Sequence, residues 1–75
     1  MTAKQYAVML EMQKGLCKMC ELPHFGDRPF VVDHCHKTGK IRGLIHTRCN
    51  TGIGMLNDDP LMMLKAYFYL AGDTY

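Results

Sequence analysis

The spacing of apolar residues predicts a helix near the N-terminus of the chain. Tyr6, Met9 and Leu10 recur at the three- and four-residue intervals that place side chains on one helical face. Thr2 is suited to cap the first turn, so we place this helix at residues 3–14. An apolar stripe of this kind is typical of a helix that packs against a core.

A second helix is predicted after Asp59, because Asp is a good N-cap and Pro60 suits the first turn. Gly72 is expected to end it. Its apolar surface is broad and includes Met62, Met63, Tyr67, Phe68 and Tyr69. Such a surface can be core or the face of a homodimer. We expect core, since so small a chain has few other apolar residues to bury.

The middle of the chain predicts a β-hairpin from Phe30 to His46. A β-prone run starts at Phe30, KTGK is a turn signal, and IRGLIH forms the returning strand. A short helix is then expected to start at residue 50 or 51 and to end near residue 57. The order helix, C-x-x-C turn, hairpin, short helix, helix indicates a small α+β fold, in one domain over residues 1–75.

The composition points to a bound metal. A chain of 75 residues is only marginally stabilised by its own core, and four Cys and four His are candidate ligands. Residues 1–15 lack the uniform apolar core of a signal peptide, and no run approaches the roughly 18 apolar residues of a membrane span. We therefore expect a cytoplasmic protein whose cysteines are metal ligands or free thiols. The net charge of +2 is mildly basic and excludes little.

Four residues have the spacing of a structural zinc site. Cys17 and Cys20 form a C-x-x-C, and His46 and Cys49 form an H-x-x-C. Two such pairs on separate turns can close around one tetrahedral Zn²⁺. A competing set replaces His46 with Cys35 and gives four thiolates. We favour His46, because drawing Cys35 to zinc would distort the polar residues on either side of it.

The stretch VVDHCHKTGKIRGLIHTRCN also contains residues suited to chemistry. Asp33 and Asn50 offer the oxygen ligands that Mg²⁺ or Mn²⁺ prefers, and a neutral imidazole can accept a proton from water. Plainer interpretations exist, since Asp33 can cap a turn, Asn50 can cap a helix, and His34 and His36 can be polar surface residues. Four cations in this stretch form either a solvated basic face or phosphate contacts: Lys37, Lys40, Arg42 and Arg48.

Three segments, GLCKMCELP, VVDHCHKTGKIRGLIHTRCN and IGMLNDDPLMMLKAYFYL, together resemble a known family. The chain is similar to the recombination endonuclease VII group of HNH nucleases, which belong to the His-Me finger (ββα-metal) class. The resemblance implies a hairpin–helix core flanked by N- and C-terminal helices and supported by a structural zinc. His46 stands where the family usually has a cysteine, but three cysteines and one histidine are an ordinary zinc set.

The resemblance also implies a catalytic site. Asp33 and Asn50 fall on the residues that bind the catalytic Mg²⁺ or Mn²⁺. His34 falls on the general base, and His36 on a second histidine whose role varies. The implied activity is hydrolysis of DNA, double-stranded and recognised through backbone or shape, by a protein that a phage can encode. Junction-resolving relatives have a longer C-terminal part, so we expect nicking or double-strand cleavage here rather than junction resolution.

Backbone geometry sets a condition on this site. Adjacent residues of a regular strand point to opposite faces, so Asp33 and His34 need an irregular strand end to act together. Asn50 directly follows Cys49, so a zinc ion at Cys49 would fix its position. The alternative function is a non-catalytic zinc module that binds DNA or a protein.

Overall fold

The computed structural model describes residues 1–72, which form three helices and one two-stranded antiparallel sheet. The elements in chain order are α1 (Ala3–Met12), β1 (Val31–His34), β2 (Ile41–Ile45), α2 (Thr47–Met55) and α3 (Pro60–Ala71). The predicted α+β class is confirmed. The predicted single domain extends to Tyr75, and its last three residues lie outside the described range.

Helix α1 begins at the predicted cap. The Thr2 hydroxyl oxygen accepts a hydrogen bond from the Gln5 N–H at 3.1 Å, and the Gln5 side-chain oxygen accepts one from the Thr2 N–H at 2.8 Å. This reciprocal capping box satisfies two backbone donors. The helix ends two residues before the predicted Lys14, because Lys14 and Gly15 both adopt left-handed backbone conformations, with φ of 57° and 72°.

The hairpin forms within the predicted limits and has one irregularity. Val31 pairs with Ile45 and Asp33 with Gly43, but the next pair is His34 with Ile41. Arg42 is therefore an extra residue in β2, which makes a bulge opposite the Asp33–His34 step. The irregularity lies at the strand end where the predicted catalytic site would need it.

Helix α2 starts earlier than predicted. The sequence placed its first residue at 50 or 51, whereas His46 is its N-cap and Thr47 its first residue. The early start puts His46 and Cys49 on the first turn, where residues three apart lie on the same face. Asn57 and Asp58, with φ of 62° and 55°, prevent the helix from continuing to residue 57.

Two side chains of the N-terminal segment hold α1 against the hairpin. The Tyr6 hydroxyl donates to the carbonyl of Phe30 at 2.6 Å. The Gln13 side-chain amide donates to the carbonyls of Leu16 and Leu44, each at 2.8 Å, and accepts from the Leu44 N–H at 2.9 Å. The Gln13 amide thus pairs with the edge of β2 as a neighbouring strand would.

The core is small and centres on the metal-ligand candidates. Its buried apolar members are Cys17, Phe30, Leu44, Ile45 and Cys49. Side chains from α1, β1 and α2 pack around them, among them Tyr6, Met9, Leu10 and Ile53. So few buried residues leave a chain of this size dependent on a further source of stability.

Helix α3 has the predicted start and end, with Asp59 accepting from the Leu61 N–H at 2.9 Å and Gly72 as C-cap. It contributes no buried residue. Tyr67, Phe68 and Tyr69 are 57%, 50% and 76% exposed, and Met62 and Met63 are half-buried. The expectation that this surface is core is therefore wrong for its three aromatic residues, which are at least half exposed. No helix in that range has the length and apolar character needed to cross a membrane.

Candidate functional site

Cys17, Cys20, His46 and Cys49 form a candidate zinc-binding site, with their ligand atoms all within 4.8 Å of one another. The sulfurs of Cys17 and Cys49 are 3.9 Å apart, and the Cys20 sulfur is 3.2 Å from His46 Nδ1. Bonds of about 2.3 Å to sulfur and 2.0 Å to nitrogen in a tetrahedron separate ligand atoms by about 3.5–3.8 Å. The donor set and its spacing therefore fit Zn²⁺.

The imidazole of His46 is oriented for metal binding through Nδ1. Its Nε2 lies 2.8 Å from the carbonyl oxygen of Pro23. A carbonyl accepts only, so Nε2 carries the proton and the Nδ1 lone pair faces the cysteines. His46 is 5% exposed, and its ring stacks on Phe25 with ring centroids 4.4 Å apart.

The C-x-x-C segment is a tight turn that presents both sulfurs inward. The Cys17 N–H donates to the Leu22 carbonyl at 2.9 Å, and the Glu21 N–H donates to the Cys17 carbonyl at 2.9 Å. The Cys20 N–H lies 3.5 Å from the Cys17 sulfur. The Lys18 N–H donates to the Leu44 carbonyl at 3.0 Å, which fixes this turn to β2.

The two buried thiols differ in acidity. Burial opposes ionisation of Cys17, but backbone hydrogen bonds from Cys20, His46 and Met19 outweigh it and lower its pKa to about 6. Burial, followed by the neighbouring sulfurs of Cys17 and Cys20, raises the pKa of Cys49 to about 11. A cation among these sulfurs would offset the burial and the repulsion that oppose ionisation of Cys49, because a metal ion favours the thiolate form of its ligands.

Cys35 lies outside this group, in the turn that joins the two strands. Its N–H donates to the Lys40 carbonyl at 2.8 Å, and its carbonyl accepts from the Gly39 N–H at 2.7 Å. Hydrogen bonds from the side chain and backbone of Thr38 lower the pKa of the Cys35 thiol. The geometry thus brings His46, and not Cys35, to the three other cysteines.

The predicted catalytic residues of the hairpin lie at the bulge. The carboxylate of Asp33 is buried, with the residue 6% exposed, whereas His34 is exposed. His36 follows in the exposed turn, and Asn50 is exposed on the first part of α2, directly after Cys49. Within residues 1–72 no hydrogen bond joins the side chains of Asp33, His34 and Asn50 to one another.

Both oxygens of the Asp33 carboxylate are bound by Arg42. Arg42 Nε donates to Asp33 Oδ2 at 2.8 Å, and Nη2 donates to Oδ1 at 3.0 Å. The same Nη2 donates to Asp58 Oδ1 at 2.8 Å. Hydrogen bonds to Asp33 and then to Asp58 raise the pKa of Arg42, and the pair with Arg42 lowers the pKa of Asp58. Arg42 is thus engaged by two carboxylates, whereas the sequence left it as either part of a solvated basic face or a phosphate contact.

The remaining predicted cations are exposed and form no ion pair within residues 1–72. Lys37 and Lys40 belong to the hairpin turn. The guanidinium of Arg48 lies over the Phe25 ring, with its carbon 4.4 Å from the ring centroid. His46 stacks on Phe25 at the same distance, so the ring contacts both a cation and an imidazole.

A cleft of about 420 Å³ opens beside this stack. Phe25, Arg28, His46 and Arg48 line it, and no carboxylate does. Arg28, like Arg48, has no ion-pair partner within residues 1–72. We call this feature the Phe25 cleft. It is an apolar surface edged by two cations, a combination suited to nucleic acid.

A two-stranded hairpin followed by a helix, with a candidate Cys₃His metal site at their junction, defines a small α+β protein. Its sequence matches the profile of the family described as recombination endonuclease VII over residues 1–72. The chain belongs to the recombination endonuclease VII family.

Two curated relatives come from phages. The chain is 40% identical over 70 residues to the Gene 59 protein of Mycobacterium phage D29, covering 92% of this chain and 42% of that protein. It is 41% identical over 49 residues to the Gene 59 protein of Mycobacterium phage L5, covering 65% of this chain and 30% of that protein. The chain thus spans less than half the length of the relatives it matches. No solved structure matches it.

Two residues of the site were not singled out from the sequence. Asp58 accepts a hydrogen bond from Arg42. Phe25 stacks on His46. For Asp58 a signal existed in the dipeptide Asn57–Asp58, since these residue types tolerate left-handed backbone conformations that end a helix. No comparable signal marks Phe25.

Proposed function

We propose that the chain is a metal-dependent DNA endonuclease of the HNH class, with a ββα-metal (His-Me finger) core formed by β1, β2 and α2. One observation supports it above all. Asp33 and His34 lie at a bulge of the hairpin, and Asn50 directly follows the zinc-site residue Cys49 on the helix after it. A zinc ion at Cys49 would hold the helix that carries Asn50 against the hairpin.

His34 is the proposed general base. It is exposed at the end of β1, where a water beside a bound phosphodiester can reach its imidazole. The neutral ring takes the proton from that water as the oxygen attacks phosphorus, and the leaving 3′-oxygen departs on the opposite side. His36, two residues further on in the exposed turn, is an auxiliary group that holds the phosphate or the water.

Asp33 and Asn50 are the proposed ligands of the catalytic divalent ion. A carboxylate and an amide oxygen are hard donors of the kind that Mg²⁺ and Mn²⁺ bind. When bound, such an ion supplies polarisation of the phosphate and stabilisation of the leaving oxygen. Asp33 already has a cation on its carboxylate, the guanidinium of Arg42, so this position in the fold accommodates positive charge.

The DNA-binding surface in this proposal combines the hairpin turn and the Phe25 cleft. Lys37 and Lys40 contact phosphates close to His34, and Arg28 and Arg48 contact phosphates at the zinc end of the hairpin. The ends of the hairpin are three residue steps apart, about 10 Å along a strand. Contacts of this type follow the backbone and shape of double-stranded DNA rather than its sequence.

The test is incubation of supercoiled plasmid with the zinc-loaded chain and Mg²⁺ or Mn²⁺. Relaxed circles or linear DNA are expected with the ion, and none without it. Omitting the ion is a better control than a chelator, which would also remove zinc. His34→Ala must lose cleavage while it keeps zinc and helix content, and full cleavage by that variant would refute His34 as the base.

A second candidate function is a non-catalytic zinc module that binds DNA or a protein. The specific observation in its favour is the occupation of both Asp33 oxygens by Arg42, which leaves the carboxylate in an ion pair. Plasmid binding without cleavage in either Mg²⁺ or Mn²⁺ would support this module. Cleavage that requires the ion would exclude it.

We also propose a homodimer through α3 and a site of action in the host-cell cytoplasm. The exposed apolar side chains of α3, with Leu70 at 83% and Tyr69 at 76%, supply the surface for the dimer. Light scattering at micromolar concentration tests it, with Leu70→Glu expected to give the monomer. A monomeric mass for the unchanged chain would contradict the dimer.

A further inference from the structure

A β-bulge determines the position of Arg42. It is the extra residue of β2 at the bulge, so its backbone is displaced from the ladder beside the Asp33–His34 step. The guanidinium presents two adjacent N–H groups to the two carboxylate oxygens of Asp33, at 2.8 and 3.0 Å. This two-pronged arrangement is the strongest ion pair that arginine forms.

The second partner of Arg42 is held by an unusual turn. Asn57 and Asp58 are consecutive residues with left-handed backbones between α2 and α3. The Asp58 N–H donates to the Ile53 carbonyl at 2.8 Å, which fixes this turn to α2. Non-glycine residues in this conformation are uncommon, and here they bring the Asp58 carboxylate to 2.8 Å from Arg42 Nη2.

We infer that Arg42 is a positioning residue that competes with the catalytic divalent ion for Asp33. The inference rests on the proposed function, because it takes Asp33 as a ligand of that ion. The Asp33 side chain is only 7% exposed, so its carboxylate requires a cation or donors in the folded protein. Arg42 supplies both when the ion is absent, and it holds the carboxylate in a fixed orientation.

Binding of a divalent ion changes this balance. Two positive charges on one buried carboxylate repel each other. Binding of the ion to Asp33 therefore weakens the ion pair with Arg42, and the ion pair weakens binding of the ion. Arg42 is 38% exposed and can turn outward on its flexible stem. A DNA phosphate beside the bulge is a partner for the released guanidinium, since arginine binds carboxylates and phosphates with the same geometry. Arg42 thus couples ion binding to DNA binding.

Mn²⁺ binding to the zinc-loaded chain without DNA measures this competition directly. The EPR signal of free Mn²⁺ is lost on binding, and a zinc site of three thiolates and an imidazole does not favour Mn²⁺. Arg42→Gln is expected to bind Mn²⁺ about tenfold or more tightly than the unchanged chain. Lys4→Gln removes the same charge from an exposed position on α1 and is expected to change the affinity by less than about twofold.

Arg42→Gln leaves the buried Asp33 carboxylate without its partner and can prevent folding. A second variant therefore keeps the test valid if Arg42→Gln does not fold. Arg42→Lys keeps the charge but loses the two-pronged hydrogen bonding, so it is expected to fold and to bind Mn²⁺ about threefold more tightly. Zinc content and circular dichroism establish which variants are folded. Equal or weaker Mn²⁺ binding by the folded Arg42 variants overturns the inference, as does a gain that persists when Asp33→Asn is added.

Failure of this inference differs from failure of the proposed function. A chain that cleaves plasmid with Mg²⁺, yet shows no gain in Mn²⁺ affinity in the Arg42 variants, keeps the nuclease and loses the competition. A chain that cleaves nothing, yet shows the gain through Asp33, loses the nuclease and keeps Arg42 as a competitor at a cation site. DNA lacking a scissile bond should also tighten Mn²⁺ binding in the unchanged chain more than in Arg42→Gln, and equal tightening would overturn the coupling.

Discussion

His46 and Pro23 define the tautomer at the metal site, because His46 Nε2–H donates to the Pro23 carbonyl at 2.8 Å. The isolated bridge between Leu16 and Pro23 closes the C-x-x-C turn, so the histidine is oriented by the turn whose sulfurs it faces. Zinc binding by one ligand pair is therefore supported by the backbone around the other. A cysteine at position 46 would supply a sulfur but no such hydrogen bond.

The first prediction concerns the fourth zinc ligand. His46→Ala should lower zinc affinity by at least about 100-fold, because it removes a ligand and the partner of Pro23. His46→Cys should keep one zinc per chain. The absorption of the Co²⁺-substituted protein distinguishes three from four thiolates. Cys35→Ser is the control and should leave stoichiometry and spectrum unchanged, since Cys35 lies outside the group; loss of zinc in that variant would contradict the assignment.

The second prediction concerns metal removal. Within residues 1–72 the buried core has five apolar residues, two of which are cysteines of the candidate zinc site, so most of the stability should come from the metal. Zinc contributes on the order of 10 kcal/mol to the folding of small finger peptides. A zinc chelator, or Cys17→Ser, should abolish cooperative thermal unfolding followed by circular dichroism. Persistence of that transition in a zinc-free sample would show that the chain folds without the metal.

The third prediction concerns the general base. His34→Ala should reduce the single-turnover rate of plasmid nicking by about 10²–10⁴-fold, the usual contribution of a positioned base. The side chain is exposed, so zinc content and thermal stability should not change. His24→Ala removes an exposed histidine from the loop before β1 and serves as the matched control. A comparable loss of activity in both variants would mean that the effect is not specific to His34.

Local signals in the sequence predicted much of the fold. Thr2 and Gln5 form a cap through their own chemistry, and Asp59 before Pro60 starts α3 where propensity places it. The start of α2 was missed, because it is set by the demand that His46 and Cys49 face one point rather than by helix propensity. Gly52 and Gly54 lie inside that helix and lower its intrinsic helix propensity.

The candidate site was predictable only in part, for a similar reason. Spacing identified Cys17, Cys20 and Cys49, since ligands of one ion fall in pairs along the chain. His46 was preferred to Cys35 because drawing Cys35 to zinc would distort its neighbours. The ion pairs of Arg42 with Asp33 and Asp58 depend on a bulge in β2 and on a strained turn, which periodicity does not reveal. The exposure of α3 also depends on tertiary packing, which the amount of apolar surface does not determine.

The fourth prediction concerns Gln13, which pairs with both backbone groups of Leu44. Gln13→Ala removes the acceptor of the Leu44 N–H and the donor to the carbonyls of Leu16 and Leu44. Loss of three part-buried hydrogen bonds should lower the free energy of unfolding by about 1–3 kcal/mol. Denaturation of the zinc-loaded protein measures it. Lys14→Ala, at the next and exposed position, is the control and should shift the midpoint little; equal shifts would argue against a special role for Gln13.

The fifth prediction concerns the Phe25 cleft as a phosphate-binding surface. Arg48→Gln should weaken DNA binding and reduce the slope of log affinity against log salt by about 1, because each phosphate contact releases about one counterion. Phe25→Ala removes the ring under the Arg48 guanidinium, so it should weaken binding with a smaller change in slope. Lys65→Gln on α3 removes the same charge away from the cleft and should leave the slope unchanged.

Fluorescence anisotropy with a duplex in Ca²⁺ measures all three variants. An unchanged slope in Arg48→Gln would place the DNA elsewhere, whereas a parallel loss in Lys65→Gln would indicate a diffuse effect of net charge.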